Sequence, residues 1–197
     1  MPDEIPGPDP ARCALFLTLS FTLAGVAQTW WFKSPRSARF AIPLDRGRTF
    51  RGRPIFGANK TWKGFVVMVP ATAAAFLLVG TLARSLPAGK GLWPLSPAGY
   101  ALLGTLAATG FMAGELPNSF IKRQLGIAPG GAPSPRGARC IAFAADRLDS
   151  VLGMLLALGL AVPTPWRVWA LVTAIGPVIH WLFNVALFQL GVKARPA

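Results

Sequence analysis

The apolar positions of this chain fall into five stretches, separated by segments that hold nearly all of its charged residues. The stretches cover residues 13–32, 64–83, 97–114, 148–162 and 168–190. Apart from the shorter fourth one, each is close to the roughly 20 apolar residues that a helix needs to cross a bilayer. The pattern predicts an all-α integral membrane protein with five transmembrane helices.

Tryptophan positions agree with these boundaries. Six of the seven tryptophans lie at or near the ends of the stretches: Trp30, Trp31, Trp62, Trp93, Trp166 and Trp169. An indole ring is amphipathic and therefore favours the headgroup layer of a bilayer.

The hydrophobic composition of the chain changes what its positive net charge indicates about binding partners. The chain is 53% hydrophobic and 14% charged, whereas a soluble domain carries about 25% charged residues. A formal charge of +13 would suit nucleic acid in a soluble protein. Here the cations flank apolar stretches, where they mark membrane orientation and contact anionic headgroups. We therefore expect membrane lipids as partners, and no nucleic acid.

Basic residues are distributed unevenly between the two predicted sides of the membrane. Residues 33–63 hold nine Lys and Arg, residues 115–147 hold five and the tail after Leu190 holds two, against four in the remaining segments. The positive-inside rule places the richer side in the cytoplasm. The sequence predicts one multi-pass domain over residues 1–197 in the cell (inner) membrane, with the N-terminus outside and the C-terminus cytoplasmic. The two cytoplasmic loops are expected to form one site; the oligomeric state stays undetermined.

The first cytoplasmic loop alternates cations with glycines and aromatic residues. Glycines let a backbone approach a ligand closely and offer N–H groups to phosphate oxygens. Lys60 and Lys63 can neutralise a ligand with several negative charges. A basic segment that only holds anionic headgroups would explain the cations as well, but it requires neither the glycines nor Asp45.

The second cytoplasmic loop brings both signs of charge together. On a helix, Asn118 and Lys122 are one turn apart, as are Ser119 and Arg123, so the two pairs lie on adjoining stripes. Pro117 is expected to open this helix, whose free N–H groups would suit a phosphate.

Asp146 and Asp149 are three residues apart and would point the same way from a helix that enters the membrane. Two carboxylates suit Mg²⁺, which usually keeps several waters and bridges to substrate phosphates. The alternative is a charge cluster that caps the fourth helix. Carboxylates at a membrane edge are costly to keep, however, so a functional pair is favoured, and Glu115 has a similar position.

Four other polar side chains are expected to lie outside the site. Cys13 and Cys140 are predicted to be free thiols on opposite sides of the membrane. His180 and Asn184 are one turn apart in the fifth stretch, where a hydrogen bond between packed helices is the favoured explanation.

Together these segments resemble the membrane CTP:lipid cytidylyltransferases, in particular the CDP-archaeol synthase family and its bacterial relatives. The matching residues are Pro43-Leu44-Asp45, Lys60-Thr61-Trp62-Lys63-Gly64, Gly114-Glu115-Leu116, Ser119, Lys122-Arg123 and Asp146-Arg147-Leu148-Asp149-Ser150. The chain has Glu115 where the family usually has Asp. It also has Ile-Ala-Phe-Ala-Ala at residues 141–145 in place of the His-Gly-Gly piece of the phosphatidate enzymes. The second departure favours the archaeol-type branch.

The resemblance implies transfer of CMP from CTP to a membrane lipid phosphate of the archaetidic or phosphatidic acid type, with Mg²⁺ as cofactor. The products would be a CDP-lipid and pyrophosphate. The implied metal ligands are Asp146, Asp149 and Glu115. The implied catalytic residues are Asp146, Asp149, Lys122 and Arg123. The implied nucleotide contacts are Lys60, Lys63, Asn118, Ser119 and Arg147.

Two other functions remain open at this point. A CDP-alcohol phosphotransferase would show an Asp-Gly-x-x-Ala-Arg pattern with two further aspartates, which the chain lacks. A non-enzymatic transporter or scaffold that binds anionic lipid would explain the basic loops. It leaves the carboxylates beside Lys122 and Arg123 without a purpose.

Overall fold

A computed structural model describes residues 8–86, 91–129, 131 and 136–191. These residues form five long helices: α1 (Pro10–Lys33), α2 (Trp62–Arg84), α3 (Pro97–Gln124), α4 (Arg136–Ala161) and α5 (Trp166–Gln189). Between α1 and α2 lie a 3-10 helix, Pro35–Phe40, and a hairpin of two short strands, β1 (Thr49–Phe50) and β2 (Arg53–Pro54). The fold is helical as predicted, except for this hairpin. The predicted locations of the two termini concern residues 1–7 and 192–197, which lie outside the described ranges.

Three of the helices in the described ranges, α1, α2 and α5, are long and apolar enough to cross a membrane. Pro70 and Pro177 lie inside α2 and α5, as membrane helices tolerate when neighbouring groups satisfy the freed backbone. The helices α3 and α4 are of similar length but hold the charged residues of the candidate site. That all five helices span the bilayer stays a prediction.

Helices α3 and α4 extend much further than the apolar pattern indicates. Helix α3 continues past residue 114 to Gln124, and α4 begins at Arg136 rather than near residue 148. Pro117 lies inside α3, so the prediction that it opens a helix was wrong. A proline removes one backbone donor from a helix, and here α3 packs along both α2 and α4. Most of the predicted second loop is therefore helical.

Local signals fix the helix starts at the end of the molecule away from the two long connections. The Asp9 carboxylate accepts a hydrogen bond from the Arg12 N–H at 2.9 Å, and the Ser96 hydroxyl accepts one from the Gly99 N–H at 3.0 Å. A proline follows each cap in the first turn, where its fixed φ suits a helix and no donor is lost.

The five helices form a closed ring. Helix α3 packs against α2 and α4, α1 packs against α2 and α5, and α4 contacts α5. Phe16 fills the half of the helix bundle near the capped end, which is the end where α1 and α3 begin. The centroid of its aromatic ring lies 4.9 Å from that of Phe76 and 5.5 Å from that of Tyr100. Trp93, expected at the headgroup layer, is 2% exposed and donates to the Pro163 carbonyl at 2.8 Å. The opposite end of the bundle carries both long connections; that this end faces the cytoplasm stays a prediction.

Glycines allow α3 and α4 to pack closely. A Cβ added to Gly153 would lie 2.3 Å from the carbonyl oxygen of Gly110 and 2.7 Å from Cα of Gly114. Small residues at such a crossing let two backbones touch. This contact aligns the polar residues of α3 with those of α4 at the end where the connections lie.

Candidate active site

The centre of the candidate site is a charged cluster between α3 and α4. The Asn118 side-chain amide donates to Asp146 Oδ1 at 2.7 Å and to Asp149 Oδ2 at 2.8 Å. The Lys122 ammonium forms an ion pair with Asp146. The two aspartates therefore point the same way, as their spacing predicts, and they share one donor.

Glu115 joins this cluster to the first connection. The Ser150 hydroxyl donates to Glu115 Oε1 at 2.8 Å and lies 3.3 Å from Asp149 Oδ1. The other Glu115 oxygen pairs with the Lys60 ammonium, and both side chains of this pair are about one-fifth exposed. A continuous polar network thus runs from Lys60 to Lys122 and connects segments that are far apart in sequence. Sequence reasoning left Ser150 without a role.

Arg123 lies close to this network but is buried. Its side chain is 5% exposed and packs beside Gly57, where an added Cβ would lie 3.3 Å from Arg123 Cδ. Within the described part of the chain, its Nε and Nη1 atoms have no hydrogen-bond partner. Buried polar groups are nearly always hydrogen-bonded, so this guanidinium has donors to spare for an anionic ligand.

The remaining predicted site residues are placed differently. Lys63 donates to the Phe32 carbonyl at 3.1 Å, and Arg147 donates to the Phe143 carbonyl at 3.0 Å with its guanidinium over the Phe143 ring. Ser119 is buried in α3. The structure does not bring these three side chains into the network around Asp149.

A cavity of about 550 Å³ lies inside the ring of helices. Lys60, Lys63 and Glu115 line it near the connections. Apolar side chains from all five helices line the rest, among them Leu17, Phe21, Met68, Phe111, Met154 and Val172. His180 and Asn184, expected outside the site, also line this cavity. The sequence signal that could have indicated this cavity is the position of these two polar side chains in an otherwise apolar stretch.

The donor set near Asp149 can be compared with the needs of a divalent metal. Among the described residues, no three His, Cys, Asp or Glu side chains are grouped to hold a metal ion. Asp146 and Asp149 together offer hard oxygen donors, and Mg²⁺ commonly takes one or two carboxylates and completes its shell with water and phosphate. The pair fits that requirement. Both oxygens of Glu115 are engaged by Lys60 and Ser150. Both oxygens of each aspartate also accept hydrogen bonds, from Lys122, Asn118 and Ser150, so Mg²⁺ would displace or share these donors.

The sequence predicts that glycine N–H groups of the first connection face phosphate oxygens, but two of these glycines use their N–H groups inside the loop. The N–H groups of Gly47 and Gly57 donate to the Asp45 carboxylate at 3.0 and 2.9 Å, and so does the N–H of Phe56 at 2.9 Å. These donors face a carboxylate of the chain itself. Burial alone would raise the pKa of Asp45, but the three N–H groups outweigh it and hold the pKa below its usual value.

Comparison with known proteins fits this geometry. A family model described as CarS-like CDP-archaeol synthase matches residues 39–196, which include most of the first connection, the second connection and α2 to α5. The chain belongs to the CDP-archaeol synthase family. Two curated CDP-archaeol synthases illustrate the likeness. That of Halobacterium salinarum is 35% identical over 163 residues, with 78% of this chain and 82% of that protein covered. That of Methanoculleus marisnigri is 34% identical, with 78% and 89% covered.

A solved structure described as an intramembrane enzyme for archaeal membrane lipid biosynthesis is also similar. It is 25% identical, has a TM-score of 0.58, and the match covers 85% of this chain and 92% of that one. The resemblance inferred from the motifs is confirmed, and every residue of the polar network lies inside the range that the CDP-archaeol synthase model matches.

Proposed function

We propose that this member of the CDP-archaeol synthase family transfers CMP from CTP to a lipid phosphate. A phosphate oxygen of the lipid forms a bond to the α-phosphorus of CTP. The bond from that phosphorus to the oxygen that bridges to the β-phosphate breaks, and pyrophosphate leaves with the electron pair. The observation that carries the proposal is the polar network from Lys60 to Lys122, whose Lys60 and Glu115 line the polar end of a largely apolar cavity.

Attack of one anion on another needs neutralisation and alignment more than it needs a strong nucleophile. Lys122 and Arg123 neutralise the triphosphate and the leaving pyrophosphate. Lys60 binds the lipid phosphate, because its ammonium reaches both the cavity and the network. Ser119 is buried in α3, one turn before Arg123, and contributes packing rather than a nucleotide contact.

Asp146 and Asp149 would hold Mg²⁺, which when bound neutralises charge on the nucleotide phosphates. Asn118 keeps the two carboxylates oriented through its shared amide. Glu115 acts one step away, since it reaches Asp149 through Ser150. Lys63 and Arg147 contribute positive charge near the site rather than direct nucleotide contacts.

The lipid phosphate binds at Lys60, and an apolar chain of the lipid occupies the cavity. A volume of about 550 Å³ lies within the usual range for sites that enclose one small ligand, roughly 300 to 1,000 Å³.

This arrangement requires all five helices to cross the membrane, with the site at the cytoplasmic side. Helix α3 has 28 residues, so it is about 42 Å long, more than the roughly 30 Å of hydrocarbon in a bilayer. Its capped end can reach the outer surface while Asn118 and Lys122 stay at the cytoplasmic surface, where CTP is available.

The test uses purified full-length protein in detergent with CTP labelled at the α-phosphate, Mg²⁺, and a lipid phosphate with ether-linked or ester-linked chains. We expect label to move into lipid with at least one of these acceptors. Asp149→Asn should lower the rate by about 100-fold or more, in line with loss of a metal ligand or its support. Asp9→Asn, the same change at the distant cap of α1, should leave the rate unchanged. No incorporation into any lipid phosphate would favour a non-enzymatic lipid-binding protein.

A further inference from the structure

Asp45 occupies an unusual position in the first connection. The segment from Lys33 to Lys63 contains nine cations, yet this lone carboxylate is 6% exposed and accepts hydrogen bonds from three backbone N–H groups. Two of these bonds close an eleven- to twelve-residue separation. The carboxylate therefore organises the loop from its centre.

The hydrogen bonds around Asp45 lead directly to Lys60. Gly57 donates its N–H to Asp45 at 2.9 Å and accepts from the Lys60 N–H at 3.2 Å. The Lys60 carbonyl accepts from the N–H of Leu44, the neighbour of Asp45, at 2.8 Å. The Lys60 backbone is thus held from both sides by groups that Asp45 fixes.

The loop conformation around Asp45 requires glycine at position 57. Its φ is +90° and an added Cβ would lie 3.0 Å from Pro129 Cγ, so the chain passes here through a conformation and a space that suit glycine. The same added Cβ would lie 3.3 Å from Arg123 Cδ. The loop held by Asp45 therefore seats on the C-terminal part of α3.

We propose that Asp45 is a positioning residue, which holds the first connection in the shape that places the Lys60 ammonium on Glu115 and at the lipid phosphate. It touches neither substrate and acts through Lys60. This inference rests on the proposed function for its catalytic consequence, but the placement of Lys60 can be tested without any reaction.

The first experiment measures the acylation rate of individual lysines by a short pulse of an amine-reactive ester and mass spectrometry. In Asp45→Asn, the acylation rate of Lys60 should rise about tenfold, because the loop that holds Lys60 on Glu115 loses its charged acceptor. Hydrogen bonds to a charged group correspond to a factor of at least about ten in an equilibrium constant. The Lys122 rate should not change, because Lys122 pairs with Asp146 on α3 and α4. Asp9→Asn should alter neither rate. An unchanged Lys60 rate in folded Asp45→Asn would overturn the proposal.

The second experiment uses the unmodified protein, so it does not depend on the variant folding. Hydrogen exchange of the Phe56 and Gly57 amides should be at least about tenfold slower than in an unstructured peptide of the same sequence, as expected for amides held in a local structure. Exchange at the peptide rate would show that Asp45 does not hold the loop, and would also overturn the proposal.

The third experiment tests the catalytic consequence. Asp45→Asn should raise the KM for the lipid phosphate about tenfold and leave kcat within about twofold, because chemistry at Asp149 is untouched. An equal loss in kcat with an unchanged KM would contradict a role through Lys60. Absence of CDP-lipid formation by the unmodified protein would refute the proposed function, while the acylation and exchange results would still decide the role of Asp45.

Discussion

Asn118 is the residue on which the geometry of the carboxylate pair depends. One amide nitrogen bonds both Asp146 and Asp149, so its removal would leave two like charges without a common donor. Groups that orient metal ligands typically contribute about 10- to 100-fold to metal affinity. In Asn118→Ala we expect the Mg²⁺ concentration for half-maximal CDP-lipid formation to rise by about this factor.

The matched control for this prediction is Thr109→Val on the same helix, where the hydroxyl donates to the Thr105 carbonyl one turn earlier. Its Mg²⁺ dependence should equal that of the unmodified protein. If Asn118→Ala showed an unchanged Mg²⁺ dependence, the shared amide would have no part in metal binding.

Asp45 is expected to make the stability of the folded protein depend on pH. Its pKa in the folded protein is held below the usual value, so the folded state favours the ionised form. Such a group contributes stability above its unfolded pKa, about 3.9 for Asp, and this contribution is lost as the pH falls through the folded pKa. The thermal unfolding midpoint of the unmodified protein in detergent should exceed that of Asp45→Asn at pH 7. The difference should shrink below about pH 3.9; a difference that stays constant would mean that the carboxylate charge is not what stabilises the loop.

At the scale of elements, the contact between α3 and α4 decides whether the site exists. Gly153 touches the α3 backbone so closely that a methyl group would meet Gly110 and Gly114. Overpacking of this kind typically costs about 1–3 kcal/mol, and separation of the helices would part Asn118 from Asp149. In Gly153→Ala we expect a lower unfolding midpoint and a loss of CDP-lipid formation of about tenfold or more.

Gly159→Ala on the same helix provides the comparison. Its added Cβ would meet only the Trp169 ring, at 3.6 Å, an ordinary contact, and alanine is the better helix former by up to about 1 kcal/mol. Its midpoint should be equal or higher and its activity unchanged. Equal behaviour of the two variants would show that the close crossing is not required.

At the scale of the whole molecule, the orientation of the protein in the membrane can be measured with Cys140 and with a cysteine introduced at position 98. Cys140 is exposed near the start of α4, on the side predicted to be cytoplasmic, while Ala98 is exposed at the capped end of α3. A membrane-impermeant maleimide should label Cys140 in inside-out vesicles and not in intact cells. Ala98→Cys in a Cys140→Ser chain should show the reverse; labelling of both from the same side would exclude the five-span arrangement.

The candidate site shows how far sequence reasoning reached. Asp146 with Asp149, and Asn118 with Lys122, were correctly placed on shared helix faces, because helical spacing is a local property. The opening of a helix at Pro117 was wrong, since helix packing outweighed the local effect of a proline. Ser150 and Asp45 were given no role, because their partners lie on other elements or across the loop.

What the sequence determined by itself was the membrane class and the approximate helices; the common cytoplasmic side of the two basic connections stays a prediction from it. Hydropathy and charge distribution are summed over short segments, so no knowledge of packing is needed to read them. Only the tertiary structure decided that Lys60 meets Glu115, that α3 and α4 extend into the site and that a cavity opens beside it. Those features depend on contacts between elements far apart in sequence, such as the glycine crossing of α3 and α4, which spacing along one chain does not encode.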